Sequence, residues 1–139
     1  MAKTKVHVLD CTIRDGSYLI KYQFTAEDTF FVASSLCRAG IGRIEVGHGL
    51  GLDAQYKGKG AAAVSDREYI EAGVAAVGGK AKIGVFYIPS IASLDSIRAA
   101  ADAGLGFIRV GTNIDQYDQG RKAIELAKSL GLEVWSNLM

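Results

Sequence analysis

Two rhythms of apolar residues alternate along the chain. Short runs containing Val6-His7-Val8-Leu9, Ile44-Glu45-Val46, Ile83-Gly84-Val85-Phe86, Phe107-Ile108-Arg109-Val110 and Leu132-Glu133-Val134-Trp135 predict strands near 5–10, 42–47, 81–87, 106–110 and 132–138. Between them the apolar positions recur at helical spacing and predict helices near 26–39, 66–78, 91–103 and 114–130. In the last of these Ala123, Ile124, Ala127 and Leu130 share a face. Ala39-Gly40, Ala103-Gly104 and Leu130-Gly131 read as helix stops, because glycine takes the left-handed conformation that ends a helix at no steric cost. Thr25 with Asp28 and Ser65 with Glu68 read as capping boxes at helix starts.

Strand, mouth loop, helix and glycine stop form the repeating unit of a parallel sheet. Either an open doubly wound sheet or a closed (β/α)8 barrel uses such units. A barrel typically needs about 250 residues, and this chain has four βα units and a fifth strand. The expected fold is therefore α/β, about the first half of a (β/α)8 TIM barrel, with residues 1–139 as the N-terminal part of one barrel domain. In either architecture chemistry gathers at the carboxyl ends of the strands. That directs attention to Arg14–Gln23, Gly47–Gly60, Tyr87–Ser90, Gly111–Asp115 and the residues after Trp135.

Composition narrows the function classes. Hydrophobic residues make up 49% and charged residues 22%, and a single proline accompanies seventeen glycines, so regular elements joined by tight turns are expected rather than a disordered linker. The formal net charge of +1 gives no electrostatic reason to expect nucleic acid or an anionic membrane as partner. Cys11 and Cys37 are too few for a disulfide framework, and no residues are spaced as in a zinc site. No stretch approaches the roughly 18 apolar residues of a membrane span, and no signal-peptide core follows Met1. A cytoplasmic protein is expected.

The chemistry-bearing residues cluster after the first strand. Arg14 and Asp15 follow it directly, with Gly16 placed to let the backbone turn sharply behind them. A carboxylate there can bind a hard cation, and the guanidinium beside it can grip a substrate carboxylate or stabilise an enolate. The bland alternative is a strand-end pair in a surface network. Glu45 lies among apolar strand neighbours and needs a partner, for which Arg14 is the candidate if the first two strands are adjacent. His48 at the end of that strand can bind metal, shuttle a proton or bond a loop carbonyl. The segment 47–60, with Lys57 and Lys59, matches neither standard phosphate-loop pattern and reads as a flexible mouth loop. His7 is expected to pack in the core or against a helix, and Trp135, Phe86 and Tyr87 in core and mouth. Cys11 has no histidine at a catalytic spacing and is not expected to act as a nucleophile.

Taken in order, Asp10-Cys11-Thr12-Ile13-Arg14-Asp15-Gly16, Tyr22-Gln23-Phe24-Thr25, Ile44-Glu45-Val46-Gly47-His48-Gly49, Asp66-Arg67-Glu68-Tyr69-Ile70-Glu71 and Ile108-Arg109-Val110-Gly111-Thr112-Asn113 resemble the DRE-TIM metallolyases. These are metal-dependent, HMG-CoA-lyase-like aldolases and lyases, and the resemblance is closest to their 4-hydroxy-2-oxovalerate aldolase branch. It covers essentially the whole chain. It implies a divalent cation, Mn2+ or Mg2+, held by Asp15 and by a His-x-His pair on a later strand, with Arg14 stabilising the enolate. The implied reaction is aldol cleavage of a 4-hydroxy-2-oxo acid to pyruvate and an aldehyde. Arg14, Tyr18 and Glu45 carry the catalysis on this reading, and Arg14, Asp15 and His48 meet the substrate. The implied partners are the small-molecule 2-oxo acid, a second copy of the protein or, at full length, an aldehyde dehydrogenase.

This chain departs from the family in two ways. The family's base histidine, two residues after Gly16, is Tyr18 here, and a phenol with an ordinary pKa near 10 is a poorer base at neutral pH. His48 is the substitute base to consider. The chain also contains no His-x-His, so on its own it is expected to bind metal weakly and turn over little. The alternatives are an acyl-CoA lyase or synthase of the same superfamily, or a non-catalytic half-barrel that self-associates through its open edges.

Overall fold

A computed structural model describes residues 6–139. Five strands, β1 (Leu9–Asp10), β2 (Arg43–Glu45), β3 (Lys82–Tyr87), β4 (Phe107–Thr112) and β5 (Glu133–Leu138), form one sheet. All pairings are parallel and the spatial order is β1-β2-β3-β4-β5. A doubly wound sheet reverses its strand order at a switch point. Here every strand lies beside its sequence neighbour, and the five curl into the arrangement of the first half of a (β/α)8 barrel. Helices α2 (Ala26–Arg38), α3 (Asp66–Val77), α4 (Leu94–Asp102) and α5 (Arg121–Ser129) connect them.

Strand register sorts the side chains into two faces. Arg43 pairs with Lys82, Glu45 with Gly84, Phe86 with Arg109, and Arg109 with Trp135, so these residues share one face. The intervening residues Ile44, Val46, Ile83, Val85, Ile108 and Val110 point the other way. They are buried against Ala33, Ile70, Val77, Ile97, Ala123 and Ala127 of the helices. Burying each such aliphatic side chain contributes about 1.5–3 kcal/mol before entropy is counted. The outer face therefore carries the stability, and the inner face is free to be polar.

Long side chains cross the inner face as chords. Glu133 of β5 meets Arg43 of β2 at 2.7 Å and Lys82 of β3 at 2.8 Å. In a flat sheet β2 and β5 would lie about 14 Å apart, three steps of about 4.8 Å, so the contact depends on the curl. Arg43, Lys82 and the Trp135 indole N–H hold the Glu133 carboxyl down at about 2 against its ordinary 4.5, with the Arg43 hydrogen bond the largest cause. Because the folded-state pKa is the lower one, this stabilisation is present above 4.5 and lost as pH falls toward 2. Urea midpoints measured between pH 6 and pH 2 should drop through that window, and Glu133→Gln should flatten this part of the profile. A Glu133→Gln profile as steep as wild type would contradict it.

Local details follow the sequence with a few corrections. Both capping boxes form: the Thr25 hydroxyl accepts from Asp28 N–H at 3.1 Å, and the Ser65 hydroxyl from Glu68 N–H at 3.3 Å. Gly40, Gly104 and Gly131 take φ of 89°, 95° and 79° after α2, α4 and α5. The helix expected over 114–130 is split, with a 3-10 stretch Ile114–Gly120 that leaves helical geometry at Gln116 before α5 begins. β4 runs two residues past the expected 110.

The strand expected over 5–10 shrinks to Leu9–Asp10, with residue 5 outside the described residues. Val6 and Val8 are exposed, and His7 is exposed beside Arg43, with Nδ1 3.3 Å from Nη1, rather than packed in a core. Among the described residues β1 pairs only with β2, so one edge has no neighbour to bury these side chains. No helix among the described residues is long and apolar enough to cross a membrane.

Candidate active site

The segment leaving β1 does not turn at Gly16. The Asp10 carboxylate accepts from the Thr12 N–H at 2.9 Å and the Thr12 hydroxyl at 3.1 Å, which favours a helical start, and Thr12–Gly16 forms a short helix, α1. Gly16 is itself helical, at φ −64° and ψ −18°. The reversal comes later, at Lys21 and Tyr22, with φ of 53° and 64°. There the Tyr22 N–H donates to Ser17 O at 2.7 Å, and Ala63 N–H donates to Tyr22 O at 3.1 Å. The helical turn puts Arg14 and Tyr18 four residues apart on one face, with Asp15 beside them.

Glu45 at the end of β2 organises the inner face. It is fully buried. Its Oε2 accepts from Arg14 Nε at 3.0 Å, from Arg109 Nη2 at 2.7 Å and from the Cys11 thiol at 3.1 Å, while Oε1 accepts from Arg109 Nε at 3.1 Å. The adjacency of β1 and β2 thus delivers the Arg14–Glu45 pair expected from sequence. With four donors on it, Glu45 has its carboxylate oxygens engaged within the protein. Both guanidiniums also lie over the Phe86 ring, at 5.0 and 4.8 Å from its centroid. Gly111 on β4 makes room for that ring, since a Cβ there would sit 2.3 Å from it.

The two arginines differ in what they leave free. Arg109 is engaged at every nitrogen, with Nη1 reaching Asn137 Oδ1 of β5 at 3.4 Å. Arg14 gives Nε to Glu45 and Nη1 to Gly49 O and Asp15 Oδ1, at 3.0 and 3.1 Å. Its Nη2 has no partner among the described residues. That N–H pair is available to an anionic oxygen at the mouth.

Tyr18 and Cys11 keep their protons at neutral pH, and His48 is the neutral imidazole. Burial, and after it the neighbouring Tyr22, push the Tyr18 phenol up, which keeps it protonated at neutral pH. The His48 ring is buried and stacked on Tyr22 with centroids 3.8 Å apart. Its Nδ1 accepts from Leu50 N–H at 3.1 Å, so the neutral ring carries its proton on Nε2, which is buried without a partner among the described residues. Burial lowers the His48 pKa, and the Gly60 backbone opposes this in part. With its lone pair engaged, His48 offers an N–H and not a substitute base. The Cys11 thiol is pushed up to about 11, by burial first and then by Glu45.

Asp15 is exposed, with Oδ1 on Arg14 and its second oxygen unpaired among the described residues. No group of three His, Cys, Asp or Glu side chains suited to a metal occurs among the described residues. A single carboxylate is too few ligands for a hard cation, so these residues do not by themselves make a Mn2+ or Mg2+ site. The mouth loop 47–60 is less loose than expected. It carries a 3-10 turn at Ala54–Lys57 and buries Leu52 and Ala54. Arg109 and Tyr22 are the site neighbours that the sequence did not single out, while Phe86, expected in core and mouth, lies under both arginines. Arg109 carried the same signal as Glu45, a charge inside an apolar strand.

A family model described as HMGL-like matches residues 5–133. The chain belongs to the HMGL-like family. Among similar proteins, this HMGL-like chain is 41% identical over 138 residues to 4-hydroxy-2-oxovalerate aldolase 2 of Rhodococcus opacus (strain B4), covering 99% of the chain and 40% of the relative. It is 42% identical over 134 residues to 4-hydroxy-2-oxovalerate aldolase 2 of Nocardia farcinica (strain IFM 10152), covering 96% of the chain and 38% of that relative. The aldolase of the same name from Moorella thermoacetica (strain ATCC 39073 / JCM 9320) is 38% identical over 139 residues, the whole chain and 41% of the relative. The HMGL-like chain thus spans about two-fifths of the length of these relatives.

Proposed function

We propose that this chain supplies the arginine side of a carbon–carbon lyase site that cleaves a 4-hydroxy-2-oxo acid to pyruvate and an aldehyde. The observation that carries the reading is Arg14, held by Glu45 and Gly49 with Nη2 free beside Asp15. When the bond between C3 and C4 breaks, its electron pair moves onto the 2-oxo group as an enolate. A fixed guanidinium stabilises the charge that develops there. As the aldehyde forms, the proton of the 4-hydroxyl passes to a water molecule in the mouth, and the enolate later takes a proton on carbon from solvent. Tyr18, protonated at neutral pH, is placed in the proposal to hydrogen-bond the 4-oxygen. A divalent cation, Mn2+ or Mg2+, would supply further polarisation of the keto group, with Asp15 as the ligand this chain offers. The names of the relatives support the substrate class. The same proposal includes a cytoplasmic protein, self-associated or working beside an aldehyde dehydrogenase that takes up the aldehyde.

Pyruvate release from 4-hydroxy-2-oxovalerate in the presence of Mn2+ tests the proposal. It is followed by NADH oxidation with added lactate dehydrogenase, on the polypeptide that carries this chain at its natural length. Metal-dependent pyruvate formation is expected. Consumption of an acyl-CoA with no pyruvate from the hydroxy-oxo acid would overturn the reading in favour of the acyl-CoA branch.

A further inference from the structure

Two arginines share one buried carboxylate, and the sharing is unequal. Arg109 approaches Glu45 side-on, with Nε on Oε1 at 3.1 Å and Nη2 on Oε2 at 2.7 Å. This is the two-pronged geometry that guanidinium and carboxylate favour. Arg14 is left with a single contact, Nε on Oε2 at 3.0 Å. Had Arg14 taken the two-pronged position, Nη2 would be spent on Glu45, and the one guanidinium at the mouth would be paired off against a full negative charge.

We infer that Arg109 is a positioning residue: by occupying both oxygens of Glu45 it confines Arg14 to a one-point contact and keeps Arg14 Nη2 unpaired. Three further contacts fix the arrangement. The Cys11 thiol donates to the same Oε2 at 3.1 Å, the Phe86 ring lies under both guanidiniums, and Asn137 of β5 accepts from Arg109 Nη1. Arg14, Arg109 and Glu45 together carry a net charge of +1, which the exposed Asp15 carboxylate 3.1 Å from Arg14 Nη1 offsets, so what remains for an anion is the unpaired Nη2 N–H pair. The contacts of Arg109 are Glu45, Cys11, Phe86 and Asn137, and its influence on Arg14 runs through Glu45. The orientation of the arginine after β1 is thereby tied to β4 and β5, strands that stand well away from it in the sheet.

The inference rests on Arg14 being the substrate-facing cation, but the geometry can be read without any reaction. In Arg109→Met, Arg14 is expected to swing into the two-pronged position on Glu45. The side-chain Nε–H resonance of Arg14, assigned through loss of the peak in Arg14→Ala, should then shift relative to wild type. Arg109→Lys, which restores the charge without the fork, should give a smaller displacement. Oxalate, a planar dianion shaped like an enolate of pyruvate, serves as the binding probe. Its affinity should fall roughly tenfold in Arg109→Met, the factor that corresponds to losing one charge-assisted hydrogen bond. Arg109→Lys should recover part of it.

An unmoved Arg14 resonance in Arg109→Met overturns the inference, and so does unchanged oxalate binding. If Arg109→Met fails to fold, Arg109→Lys decides by the same resonance. Failure of the wild-type chain to bind oxalate would count against the reading of Arg14 as a substrate ligand. The Arg14 resonance would still decide whether Arg109 positions it.

Discussion

Replacing Glu45 by glutamine is expected to cost the fold about 3–5 kcal/mol, the range for removing one partner of a buried ion pair. Glu45 is fully buried, and the side chains of Arg14 and Arg109 are only 11% and 19% exposed. Without the carboxylate, two guanidiniums face each other over Phe86 with little water to screen them. Glutamine keeps one acceptor oxygen but also brings an NH2 group among donors. The same substitution should change the chemistry of Cys11. Burial is the first cause of its raised pKa, and the charge and hydrogen bond of Glu45 come next, while Arg109 and Arg14 act in the opposite direction. Removing Glu45 leaves burial and the two arginines, so the thiol pKa falls and alkylation at pH 8 speeds up. Urea denaturation gives the first effect, and mass-spectrometric timing of iodoacetamide labelling gives the second, with Cys37 as internal reference. A Glu45→Gln protein with the wild-type urea midpoint would contradict the central place given to this carboxylate.

Arg14→Ala is expected to separate function from fold. Arg109 still neutralises Glu45 through two hydrogen bonds in that variant, so little of the buried pairing is lost and the urea midpoint should move by about 1 kcal/mol or less. Turnover of the 4-hydroxy-2-oxo acid should fall about 100- to 1,000-fold, the usual consequence of deleting one preorganised group that stabilises a developing oxyanion. Arg14→Lys should not restore it. A lysine ammonium cannot donate to Glu45 and to Gly49 O while presenting a further N–H pair outward. The pyruvate-release assay on wild type, Arg14→Ala and Arg14→Lys measures this. Undiminished turnover in Arg14→Ala would remove Arg14 from the proposed chemistry. Contrasting Arg14→Ala with Glu45→Gln then distinguishes a residue that meets the substrate from one that holds it in place.

Much of this arrangement is legible from sequence because its causes are local. Apolar periodicity separates strand from helix, and the side chains of Thr25 and Ser65 announce helix starts through bonds only three residues long. Glycines 40, 104 and 131 announce helix stops, since positive φ is cheap only there. A charge inside an apolar strand likewise signals a partner, and Glu45 was found that way. The turn after β1 was misplaced because two nearby effects competed. Asp10 bonding to Thr12 favours helix, and that outweighed the flexibility of Gly16. Interruption of the last helix at Gln116 had no signal in the apolar spacing.

The sequence by itself determined the repeating βα units and the candidate pairing of Glu45 with Arg14, beside Asp15, at the strand ends. Tertiary structure decided which charges meet. Arg109 lies 64 residues from Glu45 and Glu133 lies 90 from Arg43, and these pairs form only because the strands wind in order and the sheet curls. It also decided that the His48 ring is buried against Tyr22 of the segment after β1, a contact that no single segment specifies. Periodicity is a property of one segment. Donor, acceptor and charge balance at the mouth belong to five segments at once, and only their packing fixes it.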